Sequence, residues 1–296
     1  MDDLDLLQAR LAAAGLTDVR SVMPVTGGVI AAAGLVVRAG GEEVFAKTLT
    51  GDAPMGDLFE VEADGLSALG SVDGVTTPEV LLATRDVLVL NRMWPWPAGT
   101  AYWERLGRML AVLHTTTAAD RFGWHRDGWL GRLRQHNGWH TDGHAFFAER
   151  RVLRWLPEPL VASEFDADDR RALERLCARL PELVPAAPPV LTHGDLWPGN
   201  VLADADGGPA LIDPAVSYTW AEVDLSMMWC ANRPPESAAF FPAYEEHAGL
   251  APGWRDRMPL LHLRELLSII AHGDDDWGAA TEVRRLIAPF RPRSGT

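Results

Sequence analysis

The chain has 296 residues, of which 47% are hydrophobic, and a formal net charge of −14 at pH 7. This length suits a two-lobed enzyme or two ordinary domains, and the hydrophobic share is enough for a sizeable core. The negative charge argues against nucleic acid and against an anionic membrane as partners. The two cysteines, Cys177 and Cys230, are far apart in the sequence and suggest neither a disulfide framework nor a thiolate metal site.

Targeting signals are also missing from the printed sequence. Residues 1–5 are acidic and lack the apolar core of a signal peptide. No apolar run reaches the length that a membrane-spanning helix needs. We therefore expect a cytoplasmic protein, and we expect it to be a monomer.

The N-terminal part predicts one helix followed by an antiparallel sheet. Residues 3–14 have helical apolar spacing and end at Gly15. Glycine turns join three apolar runs that predict antiparallel strands, at 22–25, 29–37 and 44–49. The first of these turns holds Gly27 and Gly28.

Lys47 is the only lysine in the chain, and all the other residues counted as Lys or Arg are arginine. A chain that keeps a single lysine suggests a position that needs a compact ammonium, although chance survival of a surface lysine is an alternative. Strand alternation points its amine into the molecule or a cleft. The helix predicted over 57–69 carries Glu62 on its apolar stripe, where an unpaired carboxylate is costly. We predict a Lys47–Glu62 ion pair; the alternative is a solvated Glu62 at the edge of the stripe.

Two more strands, 80–82 and 87–90, are predicted to close the sheet. Asn91 and Met93 then lead into a Trp-Pro-Trp-Pro stretch that breaks regular structure. We place the boundary between two domains here, with residues 1–92 in the first and 93–296 in the second. The second is helical in pattern, with helices predicted at 102–114, at 168–180 after a cap at Asp166, and at 259–272.

The densest set of chemical groups lies between residues 190 and 215. Short apolar runs at 190–191 and 201–202 flank a loop that contains Asp195 and Asn200. A hairpin turn at 204–208 returns the chain so that Asp213 ends a third apolar run. We expect Asp195, Asn200 and Asp213 to converge at one end of a small sheet.

The spacing of these three residues matches a known chemistry. Kinase catalytic loops carry H-x-D-x-x-x-x-N, in which the Asp accepts the proton of the attacking hydroxyl and the Asn holds magnesium. A second magnesium-binding Asp follows one hairpin later. Asp195, Asn200 and Asp213 stand at these separations. A polar hairpin whose side chains only satisfy the turn backbone is the alternative, and three matches in context disfavour it.

Four features of this part of the chain occur together: HGDLWPGN at 193–200, DPA at 213–215, Tyr218, and EVDL at 222–225. With these features the sequence resembles the fructosamine kinase (ketosamine-3-kinase) family of the protein-kinase-like superfamily, which is related to the aminoglycoside phosphotransferases. The tryptophan after Asp-Leu and the Asp-Pro-Ala triplet are the specific parts of the resemblance. The resemblance extends more weakly over most of the chain.

The resemblance implies an α+β, two-lobed, protein-kinase-like fold that binds ATP and Mg²⁺ between its lobes. The small N-terminal lobe would hold an antiparallel sheet with one key helix, and the larger C-terminal lobe would be mainly helical. The implied acceptor is a small-molecule ketosamine or glycated amine, phosphorylated on the 3-hydroxyl of its sugar, a reaction of protein deglycation and repair.

The resemblance also implies a role for each site residue. Asp195 is the catalytic base, and Asn200 and Asp213 hold magnesium. For the nucleotide, Lys47 would bind the phosphates with Glu62 orienting the lysine, the loop with Gly27 and Gly28 would cover the phosphates, and Asn91 and Met93 would bind adenine. For the acceptor, Trp197 and His193 would bind the substrate. Trp197 could stack on the C–H face of a sugar or could anchor the loop by packing. An ordinary hairpin turn is at least as good an interpretation of the two glycines.

Two other segments carry expectations. The resemblance implies that Asp224 is a buried carboxylate that braces the catalytic loop, while Ala221 stands where relatives often have an arginine. Residues 135–150 resemble a family segment near the acceptor pocket. Three histidines recur there every fourth residue, but glycines interrupt the pattern and argue against a metal-binding helix face.

Two alternatives stay open. Another small-molecule hydroxyl phosphotransferase, acting on an aminoglycoside or amino alcohol, would share Asp195, Asn200 and Asp213. A non-catalytic nucleotide-binding module is the alternative of another class. The complete set of charged residues argues against it, because a protein that only binds need not keep a base.

Overall fold

The structure, a computed structural model, describes residues 3–25, 31–50, 55–275 and 278–291. The chain folds into two compact units, each built from discontinuous stretches. The first unit contains Met1–Leu113, Gly199–Ala215 and Pro234–His247, and the second contains His114–Pro198, Val216–Arg233 and Ala248–Thr296. The domain boundary after residue 92 stays a prediction.

Helices and strands are distributed along the whole described chain. The strands are β1 Val19–Val25, β2 Ala31–Arg38, β3 Glu43–Leu49, β4 Val80–Ala83, β5 Val87–Asn91, β6 Gly128–Leu130, β7 Leu133–Gln135, β8 Val190–Thr192, β9 Val201–Ala203, β10 Pro209–Leu211 and β11 Ser217–Thr219. The α-helices are α1 Asp3–Ala13, α2 Leu58–Gly70, α3 Thr100–Thr116, α4 Gly143–Phe146, α5 Pro159–Glu164, α6 Ala167–Ala178, α7 Leu180–Leu183, α8 Ala221–Cys230, α9 Phe240–Glu245, α10 Trp254–Leu261, α11 Leu263–His272 and α12 Ala279–Ile287. A π-helix, Phe147–Val152, continues α4.

The first unit is organised on a five-stranded sheet with the order β1-β2-β3-β5-β4, in which all neighbours are antiparallel. The predicted antiparallel sheet is therefore confirmed. Side chains of alternate residues in β2, β3 and β5 pack on Leu7 and Leu11 of α1, and this cluster forms a core on one face. Residues 26–30, with the predicted turn at Gly27 and Gly28, lie outside the described residues.

The small strands pair differently from the prediction. One small sheet was expected around the loop at 193–200, but its strands belong to two separate ladders of two strands each. β9 pairs with β10 in the first unit, and β8 pairs with β11 in the second. Three-residue strands carry little pairing information of their own, so the tertiary fold selects their partners.

The second unit is mainly helical. Asp166 caps α6 as predicted, because its side chain accepts a hydrogen bond from the Asp169 N–H. The single helix predicted over 259–272 is wrong: helix begins at Trp254, and it is interrupted at His262 between α10 and α11. Pro259, the first residue of the predicted helix, lies inside α10, whereas the predicted end at His272 agrees with the end of α11. Within the described ranges, no helix is long and apolar enough to cross a bilayer.

Candidate active site

Lys47 and Glu62 form an ion pair in the first unit. Lys47 alternates along β3 with the residues that pack on α1, so its side chain leaves the opposite face of the sheet. There α2 presents Glu62, which is buried along one stripe with Phe59, Leu66 and Leu69. Lys47 Nζ lies 2.7 Å from Glu62 Oε2. The predicted ion pair is present in the structure.

Asp213 completes a cluster of three charged side chains. Its carboxylate Oδ1 also contacts Lys47 Nζ. Burial acts to lower the pKa of Lys47, but the charges of Asp213 and Glu62 outweigh it, so the pKa lies above the ordinary value. Burial raises the pKa of Glu62. The charge of Lys47 acts to lower this pKa, and the charge of Asp213 acts to raise it further. One ammonium thus faces two carboxylates, which favours a further cation beside Asp213.

The β9–β10 hairpin positions Asp213 and Asn200. Asn200 comes directly before β9, and Asp213 follows β10 by two residues. The Ile212 N–H donates to the Asn200 carbonyl, so the two residues leave the hairpin at the same end. The predicted turn at 204–208 is present: Asp204 Oδ1 accepts from the Gly208 N–H, and Gly207 adopts a φ of 75°.

Asp213 has an unusual backbone. Among the described non-glycine residues it is the one with positive φ, at 51°. Such a conformation is unfavourable for most side chains and persists when the surroundings fix it, which is common at functional sites. Its side chain is half-exposed and Asn200 is buried. A carboxylate and an amide oxygen are hard donors, and they fit magnesium, which takes one or two protein ligands and keeps waters.

The residues predicted to meet adenine lie at the end of the sheet. Asn91 is the last residue of β5, and its Oδ1 accepts a hydrogen bond of 2.6 Å from the Glu79 N–H. Asn91 and Met93 line a cavity of about 530 Å³, together with the turns at 41–43 and 204–206. Next to Met93, Trp94 exchanges two backbone hydrogen bonds with Ala203 of β9.

The second unit holds the loop at 193–198, which carries the predicted base Asp195 and which we therefore call the catalytic loop. It follows β8 directly, and its first two backbone N–H groups are held by one buried side chain. The His193 N–H donates to Asp224 Oδ2 at 2.7 Å, and the Gly194 N–H donates to Asp224 Oδ1 at 2.8 Å. Asp224 comes from α8 and is fully buried. The bracing carboxylate that the resemblance implied is therefore present.

His114 is a partner of Asp224 that the sequence reasoning missed. Its Nε2 lies 3.2 Å from Asp224 Oδ2, and both side chains are buried. Burial acts to raise the pKa of Asp224, but the His114 contact, the charges of His114 and His193 and the Gly194 N–H outweigh it and lower the pKa. A signal was available: His114 lies four residues after Leu110 on the apolar stripe of α3.

The three loop residues with predicted roles differ in exposure. Asp195 is partly exposed, and its N–H donates to His193 Nδ1 at 3.2 Å. His193 is fully buried, whereas the Trp197 side chain is 45% exposed. Asp195 and Trp197 can therefore reach a solute directly, and the buried His193 is positioned to support the loop from beneath.

The structure also shows the partners of Glu222 on α8 and of the histidines in the 135–150 segment. Glu222 pairs with Arg257 of α10, with Arg257 Nε 2.8 Å from Glu222 Oε2, so the carboxylate is satisfied despite Ala221. His144 Nε2 lies 2.8 Å from the Val184 carbonyl, and His136 lies near Asp127. No group of three or more His, Cys, Asp or Glu side chains in the described ranges is arranged to hold a metal ion.

Comparison with known proteins identifies the family. The fructosamine kinase family model matches residues 7–283. A probable ketoamine kinase of Lactiplantibacillus plantarum is 32% identical over 289 residues, which cover 94% of this chain and 98% of that protein. A Thermobifida fusca structure assigned as a fructosamine-3-kinase superposes with a TM-score of 0.82 at 32% identity, and covers 92% of this chain and 98% of its own.

A more distant structure bears on the fold alone. The macrolide 2′-phosphotransferase of Brachybacterium faecium has a TM-score of 0.60 at 18% identity, with 99% of both chains covered. The predicted α+β, protein-kinase-like fold is confirmed, and so is the prediction of a phosphotransferase that acts on a hydroxyl group. The match over nearly the whole chain, together with the motifs around Asp195 and Asp213, shows that the chain belongs to the fructosamine kinase family.

Proposed function

We propose that the chain is an ATP-dependent ketosamine kinase that phosphorylates a hydroxyl of the sugar portion of a small glycated amine. The family and the ketoamine kinase relative support this acceptor class. The observation that carries the proposal is the presence of two groups of side chains, one around Lys47 and one around Asp195. The first is a cationic and carboxylate cluster suited to a metal-bound triphosphate, and the second is a partly exposed carboxylate on a braced loop.

The reaction we propose assigns one role to each group. The Asp195 carboxylate accepts the proton of the sugar hydroxyl while the hydroxyl oxygen bonds to the γ-phosphorus of ATP. The bond between that phosphorus and the β,γ-bridging oxygen breaks, and ADP leaves. Lys47 neutralises phosphate charge, with Glu62 fixing its position. Asn200 and Asp213 would hold magnesium, which when bound neutralises charge on the transferred phosphoryl group.

The remaining residues act on the loop and on the acceptor. Asp224, which is itself contacted by His114, holds the backbone that presents Asp195, and the buried His193 supports the loop. The exposed face of Trp197 is placed two residues from Asp195, where it can stack on the C–H face of the sugar and leave its hydroxyls free. Asn91 and Met93 would meet the adenine, and Gly27 and Gly28 would cover the phosphates.

The test is a phosphorylation screen with magnesium and ATP. The acceptors are fructose conjugates of simple amines, an aminoglycoside, a macrolide and plain fructose, with phosphorus NMR of the product to locate the new ester. We expect turnover of the fructose conjugates with phosphate on the 3-hydroxyl, at a kcat/KM at least about tenfold above that of plain fructose. Preferential turnover of the aminoglycoside or macrolide would contradict the proposed acceptor class.

A further inference from the structure

Three aromatic side chains of the second unit lie together next to β8, the strand that leads into the catalytic loop, and we call them the aromatic wall: Trp124, Trp139 and Tyr218. The ring centroid of Tyr218 lies 5.6 Å from that of Trp124 and 6.2 Å from that of Trp139. The wall is open to solvent, since Trp139 is 40% exposed and the other two are partly exposed. A contiguous group of exposed apolar rings is a common mark of a binding surface.

Backbone hydrogen bonds fix the wall to the strand next to the catalytic loop. Tyr218 pairs with Leu191 in the β8–β11 ladder, and β8 ends at Thr192, directly before the loop. Gly123 exchanges two backbone hydrogen bonds with Tyr218, of 2.8 and 2.9 Å, and the Trp124 N–H donates to the Asn137 carbonyl. Gly123 has a φ of 117°, and a Cβ there would lie 2.5 Å from the Asn137 oxygen, so this close approach requires glycine.

A buried arginine supports the wall from behind. Arg151, in the π-helix, is 2% exposed. It donates to Asn137 Oδ1 at 2.7 Å and to Ser217 Oγ at 3.0 Å, so it joins the segments that carry Trp139 and Tyr218. A π-helical turn is rare and is frequent at functional sites. A buried guanidinium that fixes two backbone segments makes the wall a rigid surface and not a chance cluster of rings.

We infer that the aromatic wall is the subsite for the amine-bearing portion of the acceptor, and that it selects ketosamines whose amine carries an aromatic ring. This inference rests on the proposed function and names the acceptor class more narrowly. Stacked rings gain more than an aliphatic chain of similar size on such a surface. The Arg121 guanidinium lies over the Trp139 ring at 4.9 Å, so a cationic substituent is disfavoured there.

The experiment compares fructose conjugates of methylamine, butylamine and benzylamine in the parent and in Trp139→Ala. For the parent we expect the KM of the benzylamine conjugate to be at least about fivefold below that of the other two. Trp139→Ala should raise that KM about tenfold, with kcat within about twofold and with the methylamine conjugate unchanged, because only the ring contact is lost. Leu160→Ala, at a similarly exposed apolar residue of the second unit, is the matched control and should leave all three KM values unchanged.

Equal KM values for the three conjugates in the parent, or a KM for the benzylamine conjugate that Trp139→Ala does not change, would overturn the subsite. Turnover of the methylamine conjugate tests the proposed function separately, since that conjugate has no ring. If the parent phosphorylates none of the three, the proposed function fails. The wall is then tested by calorimetric binding of the benzylamine conjugate, for which equal affinities in the parent and Trp139→Ala overturn it.

Discussion

Lys47 Nζ lies 2.7 Å from Glu62 Oε2 and also contacts the Asp213 carboxylate. The single lysine of the chain is thus bonded to a helix carboxylate on one side and to a hairpin carboxylate on the other. An ammonium is compact enough to serve both partners, whereas a guanidinium is planar and spreads its donors in a fork. This difference gives a direct test of what the lysine does.

Lys47→Arg should lower turnover far more than it lowers stability. Arginine can still pair with Glu62, so we expect the melting temperature to stay within about 4 °C of the parent. Its charge is displaced by an ångström or more, which can cost about a hundredfold in rate. The measurements are kcat and thermal unfolding of the same preparation. Arg38→Lys, the reverse exchange at a partly exposed position paired with Asp18, is the control and should change neither. A silent Lys47→Arg would contradict the phosphate role of Lys47.

Asp213→Asn should weaken magnesium-dependent nucleotide binding by at least about tenfold. Asparagine keeps the shape and tolerates positive φ, but it is a neutral and weak ligand for a hard cation. Calorimetric titration with ATP, with and without magnesium, measures the effect. Asp73→Asn, at an exposed residue of the first unit outside the cavity lining, serves as the control. If magnesium enhances ATP affinity in Asp213→Asn as much as in the parent, Asp213 is not the ligand.

Asp224→Asn should destabilise the second unit by about 2–3 kcal/mol. Asparagine has a single acceptor oxygen, so one of the two loop N–H groups would face its amide nitrogen and lose its buried partner. Urea unfolding gives the free energy. Asp168→Asn, where the side chain is half-exposed and paired with Arg171, should change it by less than about 0.5 kcal/mol. A change equally small for Asp224→Asn would refute the bracing role.

The lowered pKa of Asp224 predicts that stability depends on pH. The pKa of Asp224 is lowered in the folded protein, while that of an unfolded aspartate is about 3.9. Its carboxylate therefore stabilises the fold above about pH 4, and that contribution is lost as the pH falls toward the folded pKa. The difference in unfolding free energy between parent and Asp224→Asn should shrink steadily below pH 4. A difference independent of pH would show that the charge of Asp224 does not contribute.

Short-range sequence patterns were enough to predict the features that depend on residues near one another in the sequence or on the periodicity of one element. Strand alternation and the stripe on α2 were enough to pair Lys47 with Glu62, and Asp166 carried its own capping signal. Motif spacing located Asp195 and Asp213 in the sequence. By contrast, the pairing of β8 with β11 joins residues that are distant in the sequence, since Thr192 and Ser217 are 25 positions apart, and nothing in a three-residue run encodes it. His114 and Arg151 were missed for the same reason, because their partners are distant in the sequence.

The central claim, that Asp195 is the base of a ketosamine kinase, is tested most directly by Asp195→Asn. The exchange keeps the size of the side chain and removes its basicity, and a general base contributes roughly a hundredfold to ten-thousandfold. The measurement is turnover of a fructose–amine conjugate with magnesium and ATP, beside calorimetric ATP binding. We predict that kcat falls by at least about a hundredfold while the Kd for ATP stays within about threefold of the parent. Turnover close to that of the parent would contradict the account.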